Sequence, residues 1–117
     1  MRLAIVGSRS FTDQRLFDMW IAKATKLWGM PVEVVSGGAQ GVDTLGAIWA
    51  RKNDIKLTIY LPNWEKYGKS AGPIRNKYII DHTTHVLAFP SHHGRGTQNS
   101  IKIAKNKSKK LLIHWVD

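Results

Sequence analysis

Five short apolar runs alternate along this chain with segments whose apolar residues recur at helical spacing. The runs are Leu3-Ala4-Ile5-Val6, Val32-Glu33-Val34-Val35, Leu57-Thr58-Ile59-Tyr60, His85-Val86-Leu87-Ala88-Phe89 and Leu111-Leu112-Ile113. A continuous apolar run bounded by turn residues reads as a strand covered on both faces. Strands that alternate with helices call for a largely parallel sheet between two helical layers. The expected fold is therefore α/β, a three-layer sandwich with a mostly parallel five-stranded sheet.

The intervening segments fit this scheme. From Asp13 onward Leu16, Phe17, Trp20, Ile21, Ala24, Leu27 and Trp28 form one broad stripe, closed by Gly29 and Pro31. A second helix is expected from about Val42 to Asn53, with Leu45, Ile48 and Trp49 inward. Residues 62–73 read as an irregular stretch holding Trp64 and Tyr67. Pro73 then suits the first turn of a helix carrying Ile74, Tyr78, Ile79 and Ile80. A last helix from about Thr97 presents Ile101 and Ala104. The chain of 117 residues has no linker, repeat or low-complexity tract, so residues 1–117 are read as one domain.

Composition removes several classes. There is no cysteine, hence no disulfide framework and no thiolate metal site. No apolar run approaches the ~20 residues of a membrane span. A first strand that starts at Arg2 leaves no room for a cleavable leader, and a cytoplasmic location is expected. The net charge of +10 predicts a field that attracts polyanions. Much of it lies in Lys102, Lys105, Lys107, Lys109 and Lys110, which also suit a solvated helix face and a basic turn.

In such sheets ligands sit beyond the carboxyl ends of the strands, where strand order reverses. The loops there carry the chemistry. Gly7-Ser8-Arg9 follows the first run and supplies a sharp turn, a hydroxyl and a fork for phosphate or carboxylate. Ser36-Gly37-Gly38-Ala39-Gln40-Gly41 precedes a helix, so a ligand can approach backbone amides at the positive end of a helix dipole. Asp43, in the first turn, either stabilises that dipole or accepts hydrogen bonds from the loop or a ligand hydroxyl. Gly94-Arg95-Gly96-Thr97 repeats the pattern after the fourth strand, with Thr97 expected as N-cap. Arg75 and Asn76, after Gly72-Pro73, lie near the same edge. Trp64 is the aromatic residue expected to stack on a base.

Other patterns fail. Gly68-Lys69-Ser70 imitates the end of a P-loop, but Asn63 stands where its first glycine belongs. No dinucleotide fingerprint with three spaced glycines is present, and no acidic residue ends the second strand to hold a ribose. His82, His85, His92 and His93 lack a carboxylate or cysteine at a known ligand spacing, so no metal and no cofactor is expected.

Taken in order, Ile5-Val6-Gly7-Ser8-Arg9, Val35 through Asp43, Trp64 with Tyr67-Gly68-Lys69, Ala71 through Asn76, and Ala88-Phe89-Pro90 before Gly94-Arg95-Gly96-Thr97 resemble the YspA-like branch of the SLOG superfamily. The superfamily also contains the LOG-type phosphoribohydrolases and the DprA-type DNA-processing proteins. The resemblance implies a Rossmann-like fold, a nucleotide or nucleotide-derived ligand such as an ADP-ribose or NAD relative, and in many members a homo-oligomer. Two alternatives stay open: N-glycosidic cleavage of a nucleotide, and DprA-like binding of single-stranded nucleic acid. The LOG-type motif ends in a glutamate that serves cleavage; counted from Thr97, that position is Ser100. No catalytic residue is therefore assigned, and binding, as sensor or sequestering protein, is the expected role.

Overall fold

The computed structural model describes all residues 1–117. Five strands form one sheet: β1 (Arg2–Gly7), β2 (Glu33–Ser36), β3 (Lys56–Ile59), β4 (His85–Phe89) and β5 (Lys110–Ile113). Their spatial order is β3-β2-β1-β4-β5, and every neighbouring pair is parallel. The connections carry α1 (Gln14–Trp28), α2 (Val42–Lys52), the single turn α3 (Trp64–Tyr67), α4 (Ala71–Asp81) and α5 (Arg95–Asn106). None of these helices is long and apolar enough to cross a membrane.

The pleat of β1 divides the core in two. Leu3 and Ile5 face one way, into a cluster with Phe17, Ile21 and Ala24 of α1 and Val42 and Ala50 of α2. Ala4 and Val6 face the other way, towards Ile79 and Ile80 of α4 and Ile101 and Ala104 of α5. Both faces of a parallel sheet are thus covered, which is why β1 and β4 are apolar at every position after their first residue. All of Leu3, Ala4, Ile5, Val86, Leu87, Ala88 and Phe89 are fully buried.

Several boundaries differ from the sequence reading. Val32 lies outside β2 and is 68% exposed, although its amide donates to the Met1 carbonyl at 2.8 Å just ahead of the ladder. The stretch before Pro73 is helical rather than irregular. Asn63 caps α3 by accepting the Lys66 amide at 3.0 Å, a 3₁₀ turn covers Gly68–Ser70, and α4 opens at Ala71. Pro73 sits in the first turn of α4, where a missing amide proton costs nothing. Leu27 and Ile48 are exposed rather than inward; on α2 it is Val42, Gly46 and Ala50, four residues apart, that face the core, Gly46 against Ile5.

Candidate functional site

β1 is the point of reversal: β2 and β3 lie to one side of it, β4 and β5 to the other. The loops leaving β1, β2 and β4 diverge there and enclose an open crevice of about 430 Å³. Such a volume suits a small ligand.

The floor is set by the end of β1. The Ser8 amide donates to the Phe89 carbonyl at 3.0 Å, and the Ser8 carbonyl accepts the first amide of α2, from Val42, at 3.2 Å. α2 therefore rides very close to the strand. A Cβ on Gly7 would come within 2.5 Å of Val42 Cγ2. Gly41, at φ +73°, passes so near the Ser8 and Arg9 carbonyls that no side chain fits. These two glycines pack the crevice together; Gly7 also lines it, whereas Gly41 does not.

Asp43 is 7% exposed in the wall of the crevice. Its Oδ2 accepts the Ala39 amide at 3.1 Å and so closes the loop before α2. Burial raises its carboxyl above the ordinary value of 3.8, a shift opposed by the Ala39 amide and by the charge of Arg75. Burial also lowers Arg75, while Asp43 works to keep it charged. Of the two sequence readings of Asp43, the structure displays the loop contact.

Arg75 and Asn76 tie the two sides of the crevice to each other. Arg75 Nη1 donates to the Gly37 carbonyl at 2.8 Å, and its Nε donates to Asn76 Oδ1 at 2.9 Å. Asn76 Nδ2 in turn donates to the Gly96 carbonyl at 3.2 Å. Opposite lies the N-terminus of α5. Ser91 accepts the Gly94 amide through its Oγ at 3.0 Å, which starts the helix two residues earlier than expected. The N-cap is Gly94, not Thr97; no side chain caps this helix and no acidic residue lies in its first turn. The positive end of the α5 dipole is left facing the crevice together with Arg9, Arg75 and Arg95, against the single carboxylate of Asp43.

The sequence-predicted residues separate accordingly. Gly7, Ser8, Arg9, Gly37, Ala39, Asp43, Arg75, Asn76, Gly94, Arg95, Gly96 and Thr97 all line the crevice. Ser36, Gly38, Gly41 and Trp64 do not. Ser36 is buried, with its Oγ accepting the Gly38 amide, and Gly38 lies against Ile59 and Leu61. Trp64 is 53% exposed on α3 and approaches Gly72. Ser10, the last residue of the glycine-led loop after β1, also lines the crevice; the sequence reading missed Val6, Ile79, Ser91 and His93, and took Ser100 only as a missing glutamate. Helical spacing offered a signal for two of these, since Ile79 and Ser100 lie four residues beyond Arg75 and Gly96. The histidines stand in separate surroundings: His82 against Tyr78, His85 against Trp28, and His92 stacked on Trp115 with Nδ1 at 2.8 Å from Asp117.

Residues 1–67 match the family described as YAcAr: YspA, cpYpsA-related SLOG family. The chain belongs to this family. Gene 61 protein of Mycobacterium phage D29 is 34% identical over 112 residues, covering 89% of this chain and 88% of the phage protein. Among solved structures, this SLOG chain is similar to DNA processing protein A from Streptococcus pneumoniae, with a TM-score of 0.74 and 18% identity over 96% of the chain. DNA processing protein A from Helicobacter pylori, which binds single-stranded DNA, gives 0.72 and 20% over 97% of the chain. The SLOG chain spans 49% of the first of these structures and 64% of the second, and at such identities the likeness is one of fold.

Proposed function

We propose that this SLOG domain binds a small nucleotide-derived ligand, a nucleoside phosphate or a relative of ADP-ribose or NAD, as a sensor or sequestering protein. One observation carries the reading: an uncapped helix N-terminus and three arginines converge on a glycine-lined crevice at the reversal point of a parallel sheet. Free amides at a helix start and guanidinium groups are the donors that a phosphate requires. Arg9 and Arg95 are exposed at the rim and serve as counter-charges. Arg75 already spends donors on Gly37 and Asn76, so it braces the site as well as charging it.

Calorimetric titration with AMP, ADP-ribose and NAD tests this. Binding of at least one of them, weakened by Arg9→Ala and by Arg95→Ala, is expected; heat from none would overturn the reading. Cleavage has less support, because Asp43 is the sole carboxylate in the crevice wall and one of its oxygens holds the Ala39 amide. Incubation with AMP and NAD, followed by chromatography for released base, checks that point.

A second reading, binding of single-stranded nucleic acid, is favoured by the net charge of +10 and by the fold shared with the Helicobacter pylori protein. It predicts an affinity for oligonucleotides that falls steeply with salt and is little affected by competing AMP.

A further inference from the structure

A second cavity, of about 320 Å³, shares Arg75 with the crevice and differs from it in chemistry. Its walls are Tyr60 and Leu61 after β3, Tyr67 of α3, and Ile74 and Tyr78 of α4, with Asn63 and Arg75 as its polar members. The crevice itself contains no phenylalanine, tyrosine or tryptophan. Its one aromatic ring is the exposed imidazole of His93, so a nucleotide held there by its phosphate would find no phenol, phenyl or indole face for its base.

We propose that the tyrosine groove receives the planar base of the ligand whose phosphate lies in the crevice; this rests on the nucleotide reading above. Tyr60, Tyr78 and His82 pack on one another as a three-ring cluster, with centroids 6.2 Å apart for the two tyrosines, 5.3 Å for Tyr60 and His82, and 6.3 Å for Tyr78 and His82. Tyr67 has no ring packed on it, only Lys66 Nζ 5.1 Å from its centroid, and it is 37% exposed. It is the ring left to take a base. Asn63 Oδ1 is occupied by the Lys66 amide, which leaves its Nδ2 to donate to an acceptor on the base edge. Continuity between the two cavities comes from Arg75, whose guanidinium is fixed by Gly37 and Asn76. The tryptophan expected to stack on a base, Trp64, lines neither cavity; Tyr67, three residues along the same turn, does.

The test compares ribose 5-phosphate, which has no base, with AMP on wild type, Tyr67→Ala and Tyr67→Phe. Wild type should bind AMP roughly tenfold or more tighter than ribose 5-phosphate, the scale of one base stacked on an aromatic ring. Tyr67→Ala should erase that preference and leave ribose 5-phosphate unaffected, while Tyr67→Phe, with an intact ring, should keep it. Circular dichroism reads whether each variant is folded. Equal affinity of wild type for both compounds, or equal losses for both in Tyr67→Ala, would overturn the subsite while leaving phosphate binding intact. Absence of binding by either compound would instead bring down the nucleotide reading, and the subsite with it. Loss of an oligomer in Tyr67→Ala without change in AMP affinity would assign the groove to a second copy and refute the proposal.

Discussion

Gly96→Ala should make the domain more stable and worse at binding, and the two effects have separate origins. Gly96 lies in the first turn of α5 at a negative φ, and a Cβ built there meets nothing within 4 Å. Alanine therefore adds no clash and removes backbone entropy from the unfolded chain, a gain of about 0.5 kcal/mol in a helix. For a domain of this size that corresponds to a rise in Tm of roughly 2 °C. The space that makes the methyl harmless to the fold is the space a phosphate needs to reach the amides of the first turn. Losing one charge-assisted hydrogen bond costs about 1.5–3 kcal/mol, or roughly ten- to a hundredfold in affinity for AMP. Thermal melting and calorimetry on the same preparation read both numbers. A variant that melts higher and binds AMP as tightly as wild type would refute the placement of phosphate on α5. One that melts lower would refute the open geometry at Gly96.

Gly41→Ala is expected to do the opposite to the fold. The backbone at φ +73° costs about 1–3 kcal/mol for a residue with a side chain. The Cβ also runs into the Ser8 and Arg9 main chain, adding about 1–3 kcal/mol of overpacking. Urea denaturation should show both, whereas Gly29→Ala, at φ +84° with empty space around it, should show only the first. Asp43→Asn should change how stability varies with pH. Because burial lifts the Asp43 carboxyl above 3.8, the folded chain holds more protons than the unfolded one between that value and the raised one. This group therefore makes stability fall as pH rises through that window, and the neutral amide removes the fall. Denaturant midpoints measured across the acidic range should favour the variant increasingly as pH increases, until Asp43 is fully ionised; a difference independent of pH would contradict the raised value.

The layered fold was legible because its signals are local. Leu3-Ala4-Ile5-Val6 has to be buried on both faces, and Gly7 has to end it, whatever surrounds them. The same locality exposed the crevice-lining loops, since strand ends and helix starts must meet at one edge of a parallel sheet. What packs across the molecule was not legible. Nothing in Gly38 or Gly41 says that one lies against Ile59 and Leu61 and the other against the Ser8 carbonyl. The bracing task of Arg75 depends on a carbonyl 38 residues away. Trp64 and Tyr67 are equally aromatic and sit in the same turn; only the course of α4 decides that Tyr67 meets the groove.

Two consecutive residues of α4, Arg75 and Asn76, reach opposite banks of the crevice. The gap between the banks is consequently a fixed gauge, set by the reach of two neighbouring side chains on one helix rather than by either loop. Redesign of the loop residues facing the ligand can alter what the walls offer without altering how far apart they stand. A protein engineer wanting a larger or smaller occupant would have to change this dipeptide first.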